Sequence, residues 1–161
     1  MTSGDRANEQ RLFFEDLHVG QRFAANATYT VSEAQIKAFA AEFDPQPFHL
    51  DAQAARATVF GDLVASGWHT AAITMRLIIE GGPPLAGGTV GLGAEVTWLK
   101  PVRPGDTLSV HGEVVETTPS QSRPNRGRVT MRSETRNQLG DVVQVCISKV
   151  MVPRRSPASG A

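Results

Sequence analysis

The sequence predicts an α+β fold in which an antiparallel sheet of about five strands wraps around a long buried central helix. Three observations predict it. From residue 89 onward, apolar and polar residues alternate with period two over several segments, and no helical pattern interrupts them. One long segment, residues 67–80, is apolar on nearly every face, and such a helix is expected to be covered on every side. The chain has 161 residues, 40% of them apolar and 20% charged, which suffices for one core and not for two.

Residues 1–11 are polar, and 153–161 (PRRSPASGA) are rich in Pro, Ser and small side chains. Neither stretch has an apolar period, so one domain is expected over 12–152 with a flexible tail at each end. Residues 22–31 read as the first strand. Ser32-Glu33-Ala34-Gln35 is a capping box, and Ile36, Phe39, Ala40 and Phe43 share one face of the helix it opens. Pro45 and Pro47 stop that helix and predict a stiff loop after it. Asp51 then caps a short helix over 52–57.

Ser66 caps the long helix, which Gly81-Gly82-Pro83-Pro84 ends. In the next strand Val90, Leu92, Ala94, Val96 and Trp98 take the even positions and are expected to face inward. Leu108, Val110 and Val114 alternate likewise after the turn Arg103-Pro104-Gly105-Asp106. In the following strand Arg128, Thr130, Arg132, Glu134 and Arg136 form a row that should face water. A last strand over 141–152 joins its predecessor across Asn137-Gln138-Leu139-Gly140. Strands without helices between them pair antiparallel and have one face to cover, and the long helix is the cover.

Composition excludes several function classes. Sixteen basic residues balance sixteen acidic ones, with no basic stripe interleaved with aromatics, so nucleic acid is not an expected partner. Cys146 is the single cysteine, the N-terminal sequence lacks the layout of a signal peptide, and no apolar run reaches membrane-spanning length. A cytoplasmic protein without membrane association is expected. His49 and His69 are twenty residues apart and no His-x-x-x-His or Cys pair exists, so no metal is expected.

Among the four histidines, only His49 has a carboxylate and two prolines within five residues: Asp44-Pro45-Gln46-Pro47-Phe48-His49. The prolines restrict the backbone between acid and imidazole, and near neutral pH the two groups supply a carboxylate acceptor and a titratable base. A turn-starting Asp and a satisfied buried His would use the same residues. His69, one turn into the apolar helix, is the competing imidazole, though no carboxylate lies near it in sequence. Gly67 opens the long helix, where unpaired amides and the dipole favour anions and a missing side chain admits close approach.

The segments FDPQPFHLD (43–51) and FGDLVASGWHT (60–70) resemble the MaoC-like dehydratases, or (R)-specific enoyl-CoA hydratases, of hot-dog fold. The likeness continues through GTVGLG (88–93) and LKPVRPGD (99–106) and covers about residues 14–152. The family signature Asp-x-Asn-Pro-x-His is met by Asp44, Pro47 and His49, with Gln46 in the Asn position. The resemblance implies that Asp44 and His49 are the acid-base pair, that Gly67 provides the oxyanion hole, and that Pro47, Phe48, Ser66 and Trp68 bind substrate. It implies reversible hydration of a trans-2-enoyl-CoA to the (R)-3-hydroxyacyl-CoA in fatty acid metabolism. No cofactor is implied beyond the coenzyme A of the substrate, and the expected assembly is a homodimer. Arg123, Arg126 and Arg128 around Pro124 are candidates for the coenzyme A phosphates, although such charges commonly lie in a solvated loop. Hot-dog thioesterases are the rival reading. They usually place a carboxylate on or near the central helix, and residues 67–79 carry none. A non-catalytic acyl-CoA-binding protein would keep the fold and lose the pair.

Overall fold

The structure, a computed structural model, describes residues 10–156. Most of the two expected tails therefore lies outside the described residues. Strands β1 (Arg22–Ala24), β2 (Tyr29–Thr30), β3 (Val90–Trp98), β4 (Thr107–Pro119), β5 (Arg126–Arg136) and β6 (Val142–Pro153) form one antiparallel sheet. Its order is β1-β4-β5-β6-β3, with β2 also on β4. The helices are α1 (Glu33–Phe43), α2 (Pro47–Leu50), α3 (Ala52–Arg56) and α4 (Gly67–Gly81).

The expected first strand is two short ones, which brings the count to six. Between them the chain leaves the sheet to close the end of α4, where the Asn26 N–H donates to the Gly81 carbonyl at 3.3 Å. The capping box forms as its sequence dictates: Ser32 Oγ accepts from Gln35 N at 3.1 Å and Gln35 Oε1 accepts from Ser32 N at 2.9 Å. The stiff loop expected after Pro45 is instead partly helical, because Pro47 takes the first position of α2, where its missing N–H costs nothing.

Leu108, Val110 and Val114 of β4 are buried on the inner face, as their alternation requires. In β5 the charged residues Arg128, Arg132, Glu134 and Arg136 lie on the outer face, while Thr130 in the same row is buried. The alternation expected of β3 holds for Ala94, Val96 and Trp98, which line the inner cavities, and fails at Val90 and Leu92. A bulge between Gly91 and Gly93 shifts the register, so Gly91 lies opposite the inward Val150 while Val90 and Leu92 are 40% and 58% exposed.

The core has two parts. One gathers Ile36, Leu63, Ile73, Leu77, Leu108 and Val143 around α1 and α4. The other gathers Phe14, Leu85, Val114, Val129 and Val152 at the far end of the sheet. Each such side chain contributes about 1.5–3 kcal/mol by burial. Only one side of α4 shares in this. Trp68, Met75 and Ile79 are 60%, 50% and 49% exposed, contrary to the expected cover on every side, because the sheet of a single chain wraps one side of the helix.

The end of the domain also differs from expectation. Pro153 still belongs to β6, and Arg154 and Arg155 are tied to Glu15 and Asp16 by bonds of 2.7–2.9 Å. Their guanidinium groups also lie over the Phe14 and Phe13 rings.

Candidate active site

Three helix ends converge at one place. Asp44 is the C-cap of α1, Gln46 the N-cap of α2, and Ser66 the N-cap of α4. The link between Asp44 and His49 is drawn tight by backbone bonds, Gln46 N to Asp44 O at 2.7 Å and His49 N to Gln46 O at 3.0 Å. Val64 N donates to Phe48 O at 3.1 Å, which pins the segment leading into α4 beside this turn.

His49 is buried, and its Nδ1 lies 2.7 Å from the Val64 carbonyl oxygen. A carbonyl can only accept, so Nδ1 carries a proton and donates it. Nε2 is left facing Asp44 Oδ2 at 3.3 Å. In a neutral imidazole that nitrogen is an acceptor, so two acceptors face each other across this gap. Either a proton on Nε2 or a water donating to both relieves the opposition.

The carboxylate is held on both oxygens. Ser66 Oγ donates to Oδ2 at 2.7 Å and Gln46 Nε2 donates to Oδ1 at 2.7 Å. Partial burial alone pushes the Asp44 pKa up. The Ser66 and Gln46 donors, with the nearby His49, more than reverse this and hold it below the ordinary carboxylate value. Asp44 is therefore ionised near neutrality.

Ser66 Oγ also accepts from Trp68 N at 3.2 Å. The cap satisfies the second amide of α4, and the Gly67 N–H has no hydrogen-bond acceptor among the described residues. Asp44, His49, Gly67, Trp68 and Trp98 line one cavity of about 430 Å³ that opens to solvent. Phe48 lines it as well, edge-on to the His49 ring at 4.5 Å. The positive end of a helix, an ionised carboxylate and an imidazole thus share one chamber.

Asp44, His49, Gly67, Phe48 and Trp68 are brought together as the sequence predicts. Ser66 and Pro47 take other parts than the substrate contacts expected of them. Ser66 is fully buried with its hydroxyl engaged, so it can reach a substrate only through Asp44. Pro47 starts α2 and does not line the cavity. The sequence reading missed three supporting contacts, those of Ser66 and Gln46 with Asp44 and that of the Val64 carbonyl with His49. Gln46, two residues from Asp44, was the one within reach of local reasoning.

The competing groups fall away. His69 does not line this cavity. It is buried and stacked on Phe39 at 4.7 Å with the rings within 5° of parallel, and burial lowers its pKa. Its Nδ1 has no partner among the described residues. Arg126 and Arg128 belong to the opposite end of β5 from the residues flanking the cavity, and Arg128 pairs with Glu116. Within one chain, neither of these two arginines lines the chamber. Burial raises the Cys146 thiol pKa, away from nucleophilic use. Among the described residues, no three His, Cys, Asp or Glu side chains gather as a metal site, and no helix is long and apolar enough to cross a membrane.

The family model of the MaoC like domain matches residues 15–137. The crystal structure of a MaoC-like dehydratase from Rhodospirillum rubrum is 58% identical, covers 91% of this chain and 99% of its own, and superposes with a TM-score of 0.87. The unliganded (R)-hydratase PhaJ1 from Pseudomonas aeruginosa is 30% identical over 94% of this chain and 97% of its own, with a TM-score of 0.68. A 3-hydroxybutyryl-CoA dehydratase from Methylorubrum extorquens is 33% identical over 114 residues, 70% of this chain and 69% of the relative. With the fold, the chamber and these likenesses in agreement, the chain belongs to the MaoC-like dehydratases, hot-dog hydro-lyases that add water to or remove it from acyl-CoA thioesters.

Proposed function

We propose that this protein hydrates a trans-2-enoyl-CoA reversibly to the (R)-3-hydroxyacyl-CoA, with Asp44 and His49 as the acid-base pair and the Gly67 amide as the oxyanion donor. The observation that carries this reading is that His49 Nε2 and Asp44 Oδ2 face each other 3.3 Å apart in a chamber that also holds an unpaired helix N-terminal amide.

With His49 protonated on Nε2, a water beside the pair gives its proton to Asp44 as its oxygen bonds to the β-carbon. The C=C electrons move toward the thioester, and negative charge gathers on its oxygen. The Gly67 N–H, at the positive end of α4, meets that charge as it forms. His49 then delivers its Nε2 proton to the α-carbon on the same face. Transfer of the Asp44 proton to Nε2 across the short gap restores the starting state. Val64 keeps Nδ1 protonated throughout and so keeps Nε2 as the working nitrogen.

The uncovered side of α4 and the unpaired edge of β3 support a homodimer. Trp68, Met75 and Ile79 on the helix and Val90 and Leu92 on the strand expose apolar surface beside a row of free strand hydrogen-bonding groups. A second copy supplies cover of the same kind to both.

Loss of the conjugated enoyl absorbance, coupled to a dehydrogenase specific for (R)-3-hydroxyacyl-CoA, tests the reaction and its stereochemistry together. Reduced cofactor appears with the (R)-specific enzyme. Appearance only with an (S)-specific enzyme, or release of free thiol without hydration, refutes the reading.

A further inference from the structure

Two cavities lie in sequence along α4. The reaction chamber is bounded on the helix by Gly67, Trp68 and Thr70. A second cavity, of about 390 Å³, begins one residue later with Ala71, Thr74 and Met75, and no charged side chain lines it. That size lies within the roughly 300–1,000 Å³ common for small-ligand pockets. Across the sheet the change of lining falls between Trp98, which faces the chamber, and Val96 and Gln144, which face the second cavity.

Trp98 and Gln144 are register partners across β3 and β6, and the indole N–H donates to Gln144 Oε1 at 3.0 Å. Gln144 Nε2 donates to Thr74 Oγ1 at 3.1 Å, and Thr74 Oγ1 donates in turn to the Thr70 carbonyl at 2.9 Å. Thr135 Oγ1 supplies the remaining donor to Thr74 at 2.6 Å. All three of these polar side chains are buried, so releasing the indole strands a buried amide oxygen. On its other side the ring packs against Trp68 at 5.1 Å and lies so close over Gly67 that any side chain there would overlap it. One indole, fixed from both sides, stands at the boundary of the two cavities.

We infer that Trp98, latched by Gln144, limits the acyl-chain length this enzyme accepts, by walling off an apolar cavity that would otherwise take the distal part of the chain. The inference rests on the hydratase reading, which puts the thioester at Gly67 and directs the chain away from the charged coenzyme. An uncharged cavity bounded by Ala, Val, Met and Gly is suited to methylene groups and to little else. With the indole in place a short acyl chain fills the chamber, and a longer one meets the ring.

The test compares kcat/KM for four- and eight-carbon trans-2-enoyl-CoA in the wild type, Trp98→Ala and Gln144→Leu. In Trp98→Ala the eight-to-four-carbon ratio rises by at least about tenfold, since each newly buried methylene is worth about fourfold. Gln144→Leu, with the ring unlatched, moves the ratio the same way by less. Cys146 lines the second cavity and is the single cysteine, which gives a readout independent of turnover. Octanoyl-CoA protects its thiol from methyl methanethiosulfonate in Trp98→Ala and in the milder Trp98→Phe, but not in the wild type.

An unchanged ratio with unprotected Cys146 overturns the inference, and so does a wild type that already handles both lengths equally. The first result would fit a cavity filled by side chains of a second copy reaching past Met75. A wild type that hydrates no enoyl-CoA removes the hydratase reading and this inference together. A wild type active on four carbons whose variants keep its ratio removes this inference alone.

Discussion

Ser66 uses one oxygen for two purposes: it accepts from Trp68 N as the cap of α4 and donates to Asp44 Oδ2. Ser66→Ala should cost about 1 kcal/mol of stability from the lost cap. It should also raise the pKa of Asp44 by removing a donor to the carboxylate. In the proposed mechanism the carboxylate is the base, so activity on the acid side is lost as pH falls through that pKa. The acid limb of kcat/KM therefore moves to higher pH in Ser66→Ala and, through the other oxygen, in Gln46→Leu. A pH-rate profile checks both, and unmoved limbs would show that these donors do not tune Asp44. Gly67→Ala should fail for a separate reason, since a methyl there overlaps the Trp98 ring. The closeness of Asp44 to His49 and the place of Gly67 at a helix start were legible in the sequence, because the spacing of acid, prolines and imidazole is local and so is a helix cap. The contact from Ser66 was not legible, because its partner lies 22 residues away and only the packing of α1 against α4 brings them together.

At the level of elements, α4 joins the two ends of the account. Its first turn faces the reaction chamber, its inner face is core, and its outer stripe of Trp68, Ala72, Met75 and Ile79 is apolar and exposed. Met75→Glu with Ile79→Glu places two charges on that stripe and should convert a dimer to monomers in sedimentation velocity, leaving the far-ultraviolet circular dichroism of the fold intact. An unchanged sedimentation coefficient would show that this face is not where copies meet. The helices and long strands were legible because cap chemistry and period are local properties. The bulge in β3 was not, since its glycine-rich stretch Gly91-Leu92-Gly93 reads as regular alternation until the strand is paired with β6. Nor was the exposed side of α4. An apolar helix face implies a cover, without saying whether the same chain provides it.

For the molecule as a whole, pH acts through buried groups as well as through the site. Burial depresses the pKa of His69, so the unfolded chain binds more protons than the folded one below the ordinary histidine value of about 6.5. The contribution of a neutral His69 is fully present above that value and is lost as pH falls toward the folded pKa. Thermal unfolding should therefore show Tm falling between pH 7 and pH 5 more steeply in the wild type than in His69→Phe, which keeps the stack on Phe39. Parallel curves would mean that His69 is not buried neutral in solution. The broad class of fold was readable because one core, one apolar helix and successive period-two strands admit few arrangements. The fastening of Arg154 and Arg155 to Glu15 and Asp16 was not, because it joins residues about 140 apart in the chain.

The central claim is that one carboxylate and one imidazole act on the same water, and turnover of trans-2-butenoyl-CoA by folded Asp44→Asn and His49→Ala measures it most directly. Each substitution should lower kcat/KM by about 10² to 10⁴, the usual worth of positioned acid-base help. A properly folded variant of either kind that turns over close to the wild-type rate would contradict the account.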